Sequence, residues 1–101
     1  MNKNNVIVVS VATIVPSKHA LLPSDGQELG VVMAGHLNRG SSVQVDFAGV
    51  RGMNTGFSNS MFVQVRNRCP DIDLLGNRIS FENLSAFQHR AINLSLTALD
   101  K

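Results

Sequence analysis

Ser42–Cys69, SVQVDFAGVRGMNTGFSNSMFVQVRNRC, carries a strand, a glycine-rich turn and a helix in one unbroken run. From Val43 to Phe47 apolar side chains take alternate positions. Val43, Val45 and Phe47 therefore share one face of a strand, while Gln44 and Asp46 point the other way. Gly49, Gly52 and Gly56 follow at intervals of three and four, which opens backbone dihedrals closed to other residues and lets the chain approach a partner closely. From Phe57 the period changes. Phe57, Met61 and Val65 step by four and Ser58, Phe62 and Cys69 fill the adjacent rows, the pattern of a buried helical stripe. Cys69 and Pro70 stop this helix, because a residue before proline is pushed out of helical geometry.

On the N-terminal side, Ser24 and Gln27 have capping-box spacing, and Asp25 and Glu28 sit where a helix dipole favours anions. A helix is predicted from there to about Asn38, with Leu29, Val32, Met33 and Leu37 inward and Ala34 and Gly35 allowing close packing. Arg39 and Gly40 form its ending. The run VIVVSVATIV, residues 6–15, reads as one strand or as two short ones divided near Ala12 and Thr13. Its continuous apolar character suits a strand covered on both faces. SKHALL, between Pro16 and Pro23, is a connection or a short strand with Lys18 and His19 at an exposed tip.

On the C-terminal side, Asp71 to Asn77 is a polar turn, and Arg78 to Phe81 is a short strand with Ile79 and Phe81 on one face. Ser85 and Gln88 repeat the capping-box spacing. Leu84, Phe87, Ala91, Leu94 and Ala98, widened by Ile92 and Leu99, then form the stripe of a last helix. Strands alternating with helices predict one small α/β domain over residues 1–101. Its sheet would be mostly parallel, of about four strands, with about three helices packed against it.

Composition narrows the function classes. With 101 residues, 44% hydrophobic and 16% charged, the chain can bury one core but not two. A net charge of +2 from scattered basic residues falls short of the clustering that nucleic-acid binding shows. Without Trp or Tyr, stacking on bases would rest on five Phe that read as core. The apolar run at residues 6–15 is too short to span a membrane. One cysteine and no charged-then-apolar leader make the cytoplasm the expected compartment.

No catalytic or metal constellation is read from the sequence, and no cofactor is expected. His19, His36 and His89 lie in separate elements without ligand spacing, and Cys69 has no activating neighbour. Asp46 reads as an acceptor for amides of its own loop. The glycine turn could cradle a phosphate, but neither G-x-G-x-x-G nor the P-loop pattern is present. The alternative function is a phosphate, nucleotide or nucleic-acid binder that combines this turn with Arg51, Arg66, Arg68 and Arg78 gathered near one end of the sheet. The plainer reading has the glycines fitting a tight turn and the arginines solvated.

VDFAGVRGMNTGFSNSMF, an aspartate ending a buried strand, a short turn and a Phe-led helix, resembles the bacterial STAS-like domains, relatives of anti-sigma factor antagonist domains. The resemblance covers roughly residues 24–98. In the antagonists the turn carries a phosphorylatable serine. Laid on that pattern, Thr55 falls nearest the phosphoacceptor and Ser58 lies one helical turn on, with Asn54 where the pattern has aspartate.

The resemblance implies a non-enzymatic regulatory module that docks on a partner protein, often a histidine-kinase-like ATPase, under control of phosphorylation. The implied interface is Arg51, Gly52, Met53, Asn54, Thr55, Gly56, Phe57 and Ser58, with Thr55 and Ser58 as candidate phosphoacceptors and Met53 as an exposed apolar contact. Thr55 has a second reading, as the cap of the helix. A free sheet edge would also allow a homodimer.

Overall fold

The computed structural model describes residues 5–15, 22–74 and 76–99. In chain order the elements are β1 (Val6–Ser10), α1 (Val11–Ile14), α2 (Pro23–Asn38), β2 (Ser42–Asp46), α3 (Thr55–Arg68), β3 (Ile79–Glu82) and α4 (Ala86–Leu99). The architecture is the expected α/β arrangement with a parallel sheet. Among the described residues the sheet has three strands, where about four were expected, in the order β1-β2-β3. The reading of Lys18 and His19 as an exposed tip lies outside the described residues.

A parallel sheet whose spatial order follows chain order has a simple consequence. Right-handed crossovers carry every connecting helix to the same side. The register bears this out: Ile7, Val43 and Ile79 align across the sheet, as do Val9, Val45 and Phe81, and these rows face the core. The other face carries Val8, Gln44 and Ser80 in one row and Ser10, Asp46 and Glu82 in another. Val6 and Val8 are 57% and 58% exposed. The expectation that β1 is covered on both faces is thus corrected.

The run after Ser10 also differs from expectation, turning into the single helical turn α1 instead of continuing as a strand. The Thr13 hydroxyl donates to the Ser10 carbonyl at 2.8 Å, a local bond that competes with strand pairing. One turn apart, Val11 and Val15 are then buried on the same side. A continuous apolar run satisfies either geometry.

Helix α2 begins at Pro23, with Leu22 as a cap residue lacking a side-chain bond, so the Ser24 box does not form. Proline presets the first helical φ and its missing N–H would have been unsatisfied there anyway. The buried stripe includes Gly26, Leu29, Gly30, Met33, Ala34 and Leu37. Close packing falls on Gly26 and Gly30 and not on Gly35. A Cβ on Gly26 would strike the Phe57 carbonyl oxygen, and one on Gly30 the Met61 carbonyl oxygen. The backbones of α2 and α3 therefore touch directly, four residues apart on each helix.

Between helices and sheet lies an aromatic cluster. Phe81 packs edge-on against Phe62 at 5.9 Å between ring centroids and lies tilted against Phe47 at 6.3 Å. Phe47, Phe57 and Phe62 are fully buried. This core fixes the end of β2 from which the next loop departs.

Candidate functional site

The loop from Phe47 to Asn54 leaves the carboxyl end of the central strand and delivers the chain to α3. Its apolar residues recur every third position: Phe47, Val50 and Met53 are buried, while Ala48, Gly49, Arg51, Gly52 and Asn54 are exposed between them. Val50 N–H donates to the Phe47 carbonyl at 3.0 Å, closing a tight turn. Gly49 and Gly52 have φ of 82° and 70°, a region open to glycine at little cost.

Among the described residues, the side chains of Asp46 and Gln88 hold this loop from outside it. Asp46 Oδ1 accepts the Ala48 N–H at 2.9 Å and the Asn83 amide at 2.7 Å, tying the exits of β2 and β3 together. Gln88 Nε2 donates to the carbonyls of Val50 and Gly52, each at 3.0 Å. The same side chain accepts from Ser85 N–H at 2.9 Å, and Ser85 Oγ accepts from Gln88 N–H at 3.1 Å. The expected capping box forms, and its Gln88 also clamps the loop. Capping-box spacing finds Gln88 in the sequence, but nothing local announces its second task.

Asn83 and Ala48, in that order, hold the Asp46 carboxyl below the usual aspartate range. A depressed folded value contributes stability that is full above the ordinary aspartate range. It is lost as the pH falls through the folded value. We expect the Ala48 amide signal to follow that titration in acid, and Asp46→Asn to abolish the dependence, as NMR pH titrations of the two proteins would measure.

Of the eight residues read from sequence as an interface, four lie at the surface. Arg51, Gly52, Asn54 and Thr55 are exposed and Gly56 is half-buried. Met53 and Phe57 are sealed in the core, which corrects Met53 as an exposed contact. Ser58 is 0% exposed. Its hydroxyl bonds Ser95 Oγ and reaches the Ala91 carbonyl at 3.4 Å, so a phosphate there would have to part α3 from α4, and its reading as a phosphoacceptor is corrected. Asn54, not Thr55, caps α3: its side-chain oxygen accepts the Phe57 N–H at 2.9 Å. Thr55 is left exposed at the first helical position.

The four arginines do not gather at one end of the sheet. Arg66 donates to the Leu99 carbonyl at 2.6 Å, Arg68 to Gln64, and Arg78 to the Leu37 and Ser41 carbonyls at 2.7 Å each, where it ties off the end of α2. Because α3 runs back toward the start of the strands, these three lie at the end of the sheet opposite Arg51. Among the described residues the strand order β1-β2-β3 also lacks the reversal that opens a nucleotide crevice in doubly wound sheets. Burial raises the Cys69 thiol despite Arg78 nearby, so it stays protonated near neutral pH and a weak nucleophile. It contacts Asn38 Oδ1 at 3.3 Å. Among the described residues no group of three or more His, Cys, Asp or Glu could hold a metal ion, and no helix is long and apolar enough to cross a membrane.

A family described as "STAS-like domain of unknown function (DUF4325)" matches residues 25–87, more than half of the chain. The chain belongs to the STAS-like family. The STAS-like match takes in α2, β2, the clamped loop, α3 and β3, and ends just before Gln88. STAS-like domains are related to anti-sigma factor antagonist domains and form a non-catalytic, regulatory fold family, whose members generally partner with regulatory proteins. No curated protein and no solved structure matches this STAS-like chain.

Proposed function

We propose that this STAS-like domain is a regulatory module of the bacterial cytoplasm that docks on a partner protein through Arg51, Gly52, Asn54 and Thr55. The observation that carries this reading is a loop anchored from below by Val50 and Met53 and clamped by Gln88, with those four residues left at the surface. A surface already held in one conformation loses little entropy on binding. A histidine-kinase-like ATPase is the partner that the family relationship suggests.

Thr55 is the phosphoacceptor in this account. It is exposed at the start of α3, where free amides and the helix dipole favour an anion, and a phosphate adds about 1.5–2 negative charges. That charge would stabilise the helix start and obstruct a close contact on the same crest. One modification could then release the partner.

The test uses Arg51→Glu and Thr55→Asp, which fold normally because both positions are exposed. Titration calorimetry against a histidine-kinase-like ATPase domain is expected to show binding weakened at least about tenfold by either change, as for a central charged contact. Mass spectrometry after incubation with that ATPase and ATP is expected to find phosphate on Thr55 and none on Ser58. Unchanged affinity in both variants, or phosphate on Ser58 alone, would contradict the reading.

A further inference from the structure

Helix α4 carries two stripes of identical spacing, one residue apart. Phe87, Ala91, Leu94 and Ala98 form the apolar stripe, whereas Gln88, Ile92, Ser95 and Leu99 form the stripe that faces the core. Of the apolar stripe Ala91 alone is buried, while Phe87 is 60% exposed and Leu94 57%. A step of one residue is a turn of about 100° about the helix axis. That turn would bring Phe87 and Leu94 into the places of Gln88 and Ser95, two large apolar side chains for two polar ones. Apolar burial therefore favours a rotation that the helix does not adopt.

Hydrogen bonds hold the observed rotation. Gln88 donates to the Val50 and Gly52 carbonyls, and Ser95 meets Ser58. Some of these partners have a substitute once α4 turns. Gly52 is exposed, so water can reach its carbonyl, and the Ser58 hydroxyl already lies 3.5 Å from the Thr55 carbonyl of its own helix. One rotation has the specific bonds and the other the apolar contacts. Neither has both, a conflict between local pattern and global packing.

The root of α4 can absorb the turn. Asn83, between β3 and α4, has a φ of 61°, in the left-handed region that asparagine tolerates better than most residues. A large change of φ or ψ at a residue beside an element's end is how hinges act. Because α4 rests chiefly on α3, it can turn against that helix without opening the sheet.

We propose that α4 is a two-state switch, turning between the observed rotation, in which Gln88 clamps the loop, and a second in which Phe87 and Leu94 are buried and the Val50–Gly52 segment is released. The observed rotation is the major state, and the turned one has a population of about 0.1–10%. Arg51 and Gly52 belong to the released segment, so α4 governs how firmly the Arg51–Thr55 crest is held. The switch rests on the clamp and operates in the free protein, whether or not the crest binds.

Relaxation-dispersion NMR of the isotope-labelled full chain reads exchange on the microsecond to millisecond scale, which order parameters do not see. One exchange rate shared by the amides of α4 and of Ala48–Asn54 is expected. Phe87→Ser/Leu94→Ser alters exposed positions only, so it should keep its unfolding temperature and quench the exchange in both segments. Gln88→Ala/Ser95→Ala removes the opposing bonds and should raise the turned population about tenfold or more, with Phe87 ring contacts to α3 appearing in nuclear Overhauser spectra. Flat dispersion in either segment of the unaltered protein, different rates in the two, or exchange that survives Phe87→Ser/Leu94→Ser would overturn the proposal. So would loss of helical shifts from α4 in the Gln88→Ala/Ser95→Ala protein, which would mean that the helix melts instead of turning.

Discussion

Gly26→Ala is expected to destabilise the domain by about 3 kcal/mol or more, at or beyond the top of the usual range for an overpacked core. The added methyl group would meet the Phe57 carbonyl oxygen, and its nearest neighbours are all backbone atoms. Backbone cannot swing aside as a flexible side chain can. Relief requires α2 to lift from α3, which opens the contact that buries Met33 and Met61. Gly30→Ala should behave similarly, because its Cβ would meet the Met61 carbonyl oxygen. Gly35→Ala is the internal control: its Cβ would have only the Arg39 guanidinium nearby, at 3.7 Å. Helix propensity then dominates, and this variant should gain about 0.5–1 kcal/mol. Urea denaturation of the three variants measures the difference. Equal effects at positions 26, 30 and 35 would mean that the helices do not touch through their backbones.

Gln88→Leu is expected to cost about 2–4 kcal/mol, since a buried group left unsatisfied costs about 1–3 kcal/mol. Of the three bonds lost only the one to Val50 is fully buried, water reaching the partners of the other two. The Val50 and Gly52 carbonyls lose their donor and Ser85 N–H loses its acceptor. The damage should reach the loop as well as overall stability, with faster amide exchange from Ala48 to Asn54. Gln88→Glu separates the two tasks of this side chain. The carboxylate still accepts from Ser85, but it faces two carbonyl oxygens where a donor is needed. Its folded pKa is then raised above the unfolded value, so the penalty is full at neutral pH and is relieved as the pH falls through the folded value. A Gln88→Glu protein as stable at pH 7 as in mild acid would contradict the clamp.

Much of this arrangement is legible in the sequence, and the exceptions share causes. Strand β2 and helix α3 follow from a clean change of period at Phe57, since the alternation of Val43, Val45 and Phe47 can serve only a half-covered strand. The run around Val11–Val15 misleads, because an unbroken apolar segment carries no period with which to separate strand from helical turn. The bare sheet face lies in strand order, which no single strand encodes.

Helix α4 misleads for another reason. Hydrophobic spacing assumes that the most apolar face turns inward, and Gln88 and Ser95 override it with specific hydrogen bonds to distant partners. At the candidate site, the glycines located the loop but not its anchors. Phe47, Val50 and Met53 recur every three residues, a spacing that belongs to no regular element, so Met53 reads as surface until the loop is seen folded over the core. Thr55 and Asn54 are both good capping residues, and the choice between them depends on where the first helical turn closes.

The loop between β2 and α3 is held in one conformation before any partner arrives. Backbone relaxation of the amides of Ala48–Asn54 in the free protein tests it most directly. Order parameters near about 0.85 throughout, as in a rigid backbone, are the predicted result, and values below about 0.6 across Val50–Gly52 would contradict it.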